Sequence, residues 1–204
     1  MNSKLIKIAV LAASAGLSSA AFAHTITQTG STAFSSFSAG FAHPFSGLDH
    51  LAAMLAVGLW SALTARRAGS DLLWAPAGFM VLLFAGALAG LTGSHIATAA
   101  VEPMIAASLL VTGLLVLTRW RLPGLLAAAL VGVFAVFHGL AHGQELAGHS
   151  AAWATLAGMM VATAVLHSAG IGIGWALRQT SQWPSRAAGA SVVVLGLTLL
   201  ARLA

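Results

Sequence analysis

Long apolar runs recur along the chain between short polar or Gly- and Pro-marked breaks. Each run is close to the roughly 20 residues that a helix needs to cross a bilayer. After a polar stretch at 24–38, the pattern predicts about six spans, at 44–65, 72–92, 96–117, 123–143, 151–177 and 186–203. Pro44 and Pro123 suit a first helical turn, where no backbone N–H is needed. Pro103 lies inside the third run and is expected to kink it or mark its true start. The N-terminus reads differently. Lys4 and Lys7 precede a short apolar core at 8–17 and a small-residue stretch ending Ala21-Phe22-Ala23, the signature of a secretory signal peptide cleaved after Ala23. The expected organisation is a signal peptide at 1–23, a periplasmic N-terminal segment at 24–43 and a transmembrane permease domain at 44–204, an all-α polytopic membrane protein.

Composition and charge sharpen this picture. The 204 residues are 59% hydrophobic and 6% charged, which excludes a soluble enzyme. Nine Lys and Arg against four acidic residues give +5, but they form no dense block of the kind that binds nucleic acid. They alternate instead. Arg66 and Arg67 follow the first span, Arg119 and Arg121 the third, and Arg178 and Arg186 flank the last connection, while the loops after spans two and four carry none. By the positive-inside rule the mature chain has both ends in the periplasm and three basic loops in the cytoplasm of a bacterial inner membrane. Trp74, Trp120, Trp153 and Trp183 near span ends read as interfacial anchors. The pairs Gly86 and Gly90, Gly139 and Gly143, and Gly170 and Gly174 read as close helix contacts in lipid.

With no cysteine, a metal site must use His, Asp, Glu, Met or backbone oxygen, and eight histidines need explaining. Ionisable groups in a membrane cost a few kcal/mol each and usually face a cavity and act there. One group is His43, Asp49 and His50, with Met54 a turn beyond; a helix starting at Pro44 would set His43 and His50 close to one face. A second is His138, His142 and Glu145, the latter two at about 40° and −20° from the first, on one helical stripe with chelating i, i+4 spacing. Glu102 is expected to be buried about 9 Å into the third span, where it needs a cation, a proton or a donor. His167 lies deeper and is a candidate for a second site along a path, before a Gly170, Gly172, Gly174 run expected to loosen its helix; Met54 is a candidate additional ligand. Cleavage after Ala23 would leave His24 with a free amine beside its imidazole, a further periplasmic chelator. His95 and His149 read as exposed loop residues. The arginine-derived topology puts His43, Asp49, His50, Glu102, His138, His142 and Glu145 in the outer half of the membrane. Imidazole with carboxylate suits nickel, cobalt, zinc or copper.

At these residues the chain resembles the HupE/UreJ family of bacterial nickel/cobalt permeases, found with hydrogenase and urease systems. The resemblance rests on the block from His43 to His50 and on to Trp60, on Glu102-Pro103-Met104, and on Phe137-His138-Gly139-Leu140-Ala141-His142-Gly143-Gln144-Glu145. It implies secondary uptake of Ni²⁺ or Co²⁺ as cargo, no prosthetic group, the seven residues above as the metal-handling positions, and a link to hydrogenase or urease maturation. A separate nickel/cobalt transporter family has four residues between its His and Asp-His, whereas five separate His43 from Asp49. A homo-oligomer is compatible with the sequence. The competing reading is an intramembrane zinc hydrolase, with His, His and Asp on the metal and Glu145 or Glu102 as general base.

Overall fold

The computed structural model describes residues 32–66, 68–93 and 98–203. They form seven helices: α1 (Ala33–Ser46), α2 (Leu48–Thr64), α3 (Ser70–Leu91), α4 (Thr98–Thr118), α5 (Gly124–Leu146), α6 (Ala152–Leu177) and α7 (Trp183–Leu203). No strand occurs among the described residues. The six expected runs return as α2 to α7 with ends shifted by a few residues. Helices α3 to α7 are each long and apolar enough to cross a membrane, and α1 with α2, bent by 81°, makes a sixth candidate span. The signal peptide, its cleavage site, His24 and His95 lie outside the described residues.

The first span departs from expectation. Pro44 does not start a helix but sits near the end of α1, and the chain breaks at Gly47 in extended backbone before α2 begins. Proline removes an N–H and crowds the carbonyl four residues back, so α1 ends within three residues of it. The signal for α1 was present in the sequence. Thr32 and Ser35 form a reciprocal capping box, each side chain accepting the other's backbone N–H at 3.1 Å. Phe34, Phe37, Phe41 and Phe45 then recur at helical spacing, and the rings of Phe41 and Phe45 meet at a tilt with centroids 5.5 Å apart.

Packing is organised as tight pairs, α3 on α5, α4 on α7, and the bent α1–α2 unit on α6. Lipid tails are as apolar as the side chains, so close backbone approach rather than hydrophobic burial must hold such pairs. Glycines allow it. A Cβ on Gly139 would strike the Leu83 carbonyl of α3, one on Gly86 the Val136 carbonyl of α5, and one on Gly170 the Leu55 carbonyl of α2. All three glycine pairs singled out from the sequence lie in such seams. Gly170 and Gly174 therefore lock α6 onto α2, and α6 stays helical through Leu177 instead of loosening after His167. The outward faces carry exposed Leu73, Val81, Leu125, Val161 and Val194, as lipid contact requires.

Arg66, Arg119, Arg121 and Arg178 gather at one end of the bundle, while Arg202 in the last turn of α7 lies toward the other. Arg119 donates to Ser185 Oγ at 2.7 Å, Arg178 donates to the Ala62 carbonyl at 3.2 Å, and Arg66 and Arg121 line a common groove with Asp71. Buried Trp60 donates to the Trp120 carbonyl at 2.9 Å and ties α2 to the loop after α4. Trp74, Trp120, Trp153 and Trp183 are exposed. The first half of α2 and the last turns of α5, where the site histidines sit, face the opposite end.

Two glycines in one helix make a direct test of the packing. Gly170→Ala should destabilise the protein by about 1–3 kcal/mol, because the added methyl meets backbone that cannot yield. Gly172→Ala, where nothing lies within 4 Å, should be neutral or stabilising by up to about 1 kcal/mol. Thermal unfolding of both variants in one detergent checks the difference.

Candidate metal centre

Three helices deliver one imidazole each to a common point. His43 comes from the end of α1, His50 from the first turn of α2 and His142 from the last turns of α5. One ring nitrogen from each lies within 4.8 Å of the other two. Ring centroids are 5.0 Å apart for His43 and His142, 4.9 Å for His50 and His142, and 5.7 Å for His43 and His50. His50 and His142 are 1% exposed, so an ion held there would be largely dehydrated. With the three nitrogens no more than 4.8 Å apart, an ion between them is at most about 2.8 Å from each. A metal–imidazole bond is about 2.0–2.1 Å, so each ring needs to close by about 0.7 Å at most, within reach of small side-chain torsions.

The bend at Gly47 makes this possible. The sequence suggested His43 and His50 on one face of one helix; they lie instead on two helices at 81°, and it is the turn between them that brings the rings together. Asp49 then serves twice. Its Oδ1 accepts the backbone N–H of His50 at 2.9 Å, in a first turn that favours an acid, and lies 3.0 Å from His50 Nδ1. A carboxylate on Nδ1 holds the ring in place, fixes the proton there and leaves Nε2 as the basic nitrogen, a support often found behind metal-bound histidine.

His138 belongs to the same neighbourhood but not to the converging three. Its ring is 5.4 Å from that of His50, and its Nδ1 donates to the Phe134 carbonyl one turn back at 3.1 Å, which again leaves Nε2 basic. Glu145 Oε2 stands 3.7 Å from His142 Nδ1, too long for a hydrogen bond. The expected stripe of His138, His142 and Glu145 is therefore present, with its members doing different things.

Glu102 departs from expectation. It is exposed, not buried, and lines an open groove of about 390 Å³ with Glu145, Gln144, Ala141, Pro103 and Leu203. Pro103 sits inside α4 rather than at its start, so Glu102 lies on a continuous helix near its first turns. Glu145 is common to the groove and to the surroundings of His142. Met54 is fully buried in the apolar core, and it is its carbonyl, not its sulfur, that reaches a histidine: His167 Nδ1 donates to it at 2.8 Å. His149 is exposed. Phe79, whose ring touches both His138 and His167, carried no signal in the sequence, because an apolar residue in an apolar helix is indistinguishable from packing.

If Asp49 orients His50, Asp49→Asn should weaken Ni²⁺ binding by about 10–100-fold while leaving thermal stability without metal close to wild type. Isothermal titration of purified protein with NiCl₂ measures the first, and unfolding in the presence of a chelator the second.

Residues 11–199 match the family described as HupE / UreJ protein. Among characterised relatives, Protein HupE of Rhizobium leguminosarum bv. viciae is 39% identical over 200 residues, spanning 97% of this chain and 98% of that one. No solved structure matches the chain. An all-helical, multi-pass architecture with a half-buried histidine from α1 and buried histidines from α2 and α5 thus accompanies sequence similarity along nearly its whole length, and the chain belongs to the HupE/UreJ family.

Proposed function

We propose that this protein is a secondary permease that takes up nickel, or cobalt, across the bacterial inner membrane to supply metalloenzymes such as hydrogenase or urease. The observation that carries the reading is the convergence of His43, His50 and His142, from three different helices, inside a bundle of membrane-spanning length. Three imidazoles backed by a carboxylate select borderline divalent ions over magnesium or calcium, which prefer an all-oxygen shell. Zinc and copper fit the same donors, so selectivity rests on ring spacing and on which metal is supplied.

In this reading the groove with Glu102 and Glu145 concentrates cations at the periplasmic face. An ion then exchanges water for the imidazoles of His142, His43 and His50, with Asp49 holding His50 and His138 close behind. The sequence contains no P-loop pattern, so the driving force is the membrane potential, about 4.6 kcal/mol for a divalent ion at 100 mV, or proton exchange. The arginine-rich end of the bundle faces the cytoplasm by the positive-inside rule.

Time-resolved uptake of radioactive nickel by cells expressing wild type, His50→Ala, or His50→Ala with His138→Ala tests this. Saturable accumulation is expected in wild type, with loss of at least tenfold in the single variant and abolition in the double, at equal amounts of protein in the membrane. Retained uptake in the double variant overturns the assignment. Metal held tightly without accumulation would favour the zinc hydrolase instead.

A further inference from the structure

Ring contacts do not stop at the outer histidines. His138 meets Phe79 of α3 with centroids 5.7 Å apart, and Phe79 meets His167 of α6 edge-to-face at 5.1 Å and 89°. Phe79 is 1% and His167 2% exposed. His167 stands opposite Met54, four residues or about 6 Å of helix further along α2 than His50. Gly58 lets α6 come this close, since a Cβ there would strike the His167 carbonyl.

The orientation of His167 is informative. A carbonyl only accepts, so the 2.8 Å contact with Met54 puts the ring proton on Nδ1 and leaves a lone pair on Nε2. That Nε2 is buried and has no hydrogen-bond partner among the described residues. A buried polar atom in that state is destabilising and calls for an explanation, and leucine or methionine would fill the same apolar space without it. The explanation consistent with the path described above is a ligand that comes and goes.

We propose that His167 is a second, inner binding station for the same borderline divalent cation, and that Phe79 is a shutter separating it from the outer site. The proposal rests on the permease reading. Rings with centroids 5.1 and 5.7 Å apart are in van der Waals contact and leave no gap for an ion. Transfer from the outer histidines to His167 therefore requires the Phe79 side chain to swing aside or α3 to shift. While it is closed, an apolar ring stands between the two stations, a barrier that neither a hydrated cation nor a water file crosses readily.

The test uses the full chain in proteoliposomes, with Ni²⁺ as the probe and equilibrium Ni²⁺ binding as the check that each variant is folded. His167→Ala should retain outer-site affinity within about twofold and lose at least tenfold in flux. Phe79→Leu should also retain binding, but preloaded vesicles should lose Ni²⁺ at least fivefold faster than wild type and reach a lower steady-state accumulation. Phe79→Met, closer in volume, takes its place should the leucine variant fail to bind. Flux within twofold of wild type in both directions for His167→Ala, or a Phe79 variant that binds but does not leak, overturns the proposal. Wild-type vesicles that bind Ni²⁺ and carry none overturn the permease reading itself, and this one with it.

Discussion

Imidazole buried in a membrane protein has no water to satisfy it, and the fixing of one ring nitrogen on each of three histidines governs what the remainder of the site can do. His50 Nδ1 faces the Asp49 carboxylate, His138 Nδ1 the Phe134 carbonyl and His167 Nδ1 the Met54 carbonyl. Each partner accepts, so each ring carries a proton on Nδ1, and in its neutral form Nε2 is the basic nitrogen. One local rule, repeated on three helices, produces a set of metal-ready donors without a single thiolate. The partners differ in reach. Asp49 is next in sequence, Phe134 is one turn away, and Met54 lies on another helix altogether, so the innermost histidine depends most on helix packing.

That packing is supplied by residues with no side chain. Gly58 and Gly170 draw α2 and α6 together where His167 meets Met54, and Gly139 and Gly143 seat α5 against α3 beside His138 and His142. The glycines that flank histidine in the sequence thus place its neighbours: Gly139 follows His138, and Gly143 follows His142. Chemistry and close approach are written into adjacent positions of the same helix, so a change that separates α3 from α5 also displaces the rings.

Much of this was legible in the sequence because a bilayer imposes strong rules. Span lengths, alternating arginines and glycine pairs follow from hydrocarbon thickness and the absence of solvent, and α2 to α7 appear where the apolar runs are. The membership of His43, His50 and His142 in one neighbourhood was legible too, since charge and imidazole are too costly in lipid to be scattered. Tertiary detail was not. Periodicity within one segment cannot show that a neighbouring segment turns by 81°, so a shared helical face was read where there is an elbow. Glu102 looked buried because it sits in an apolar run, but which side of α4 faces a groove depends on α5 and α7. Met54 invited attention for its sulfur, while its contribution is a backbone oxygen, which every residue possesses.

The elbow at Gly47 also turns the spacer between His43 and Asp49 into a ruler. On a continuous helix an extra residue would swing His43 about 100° around the axis, and the partner ring could be sought on another face. Here α1 is anchored along α6, with Gly40 against Thr155 and Gly158 against Phe37, so it cannot rotate freely to compensate. One residue more or fewer in the connection would instead move His43 along its track by up to about 3.5 Å. That exceeds the whole length of a metal–nitrogen bond. Five intervening residues are thus a mechanical tolerance, and proteins that space the same His and Asp-His differently must bend their chains differently to close the same three-cornered clasp.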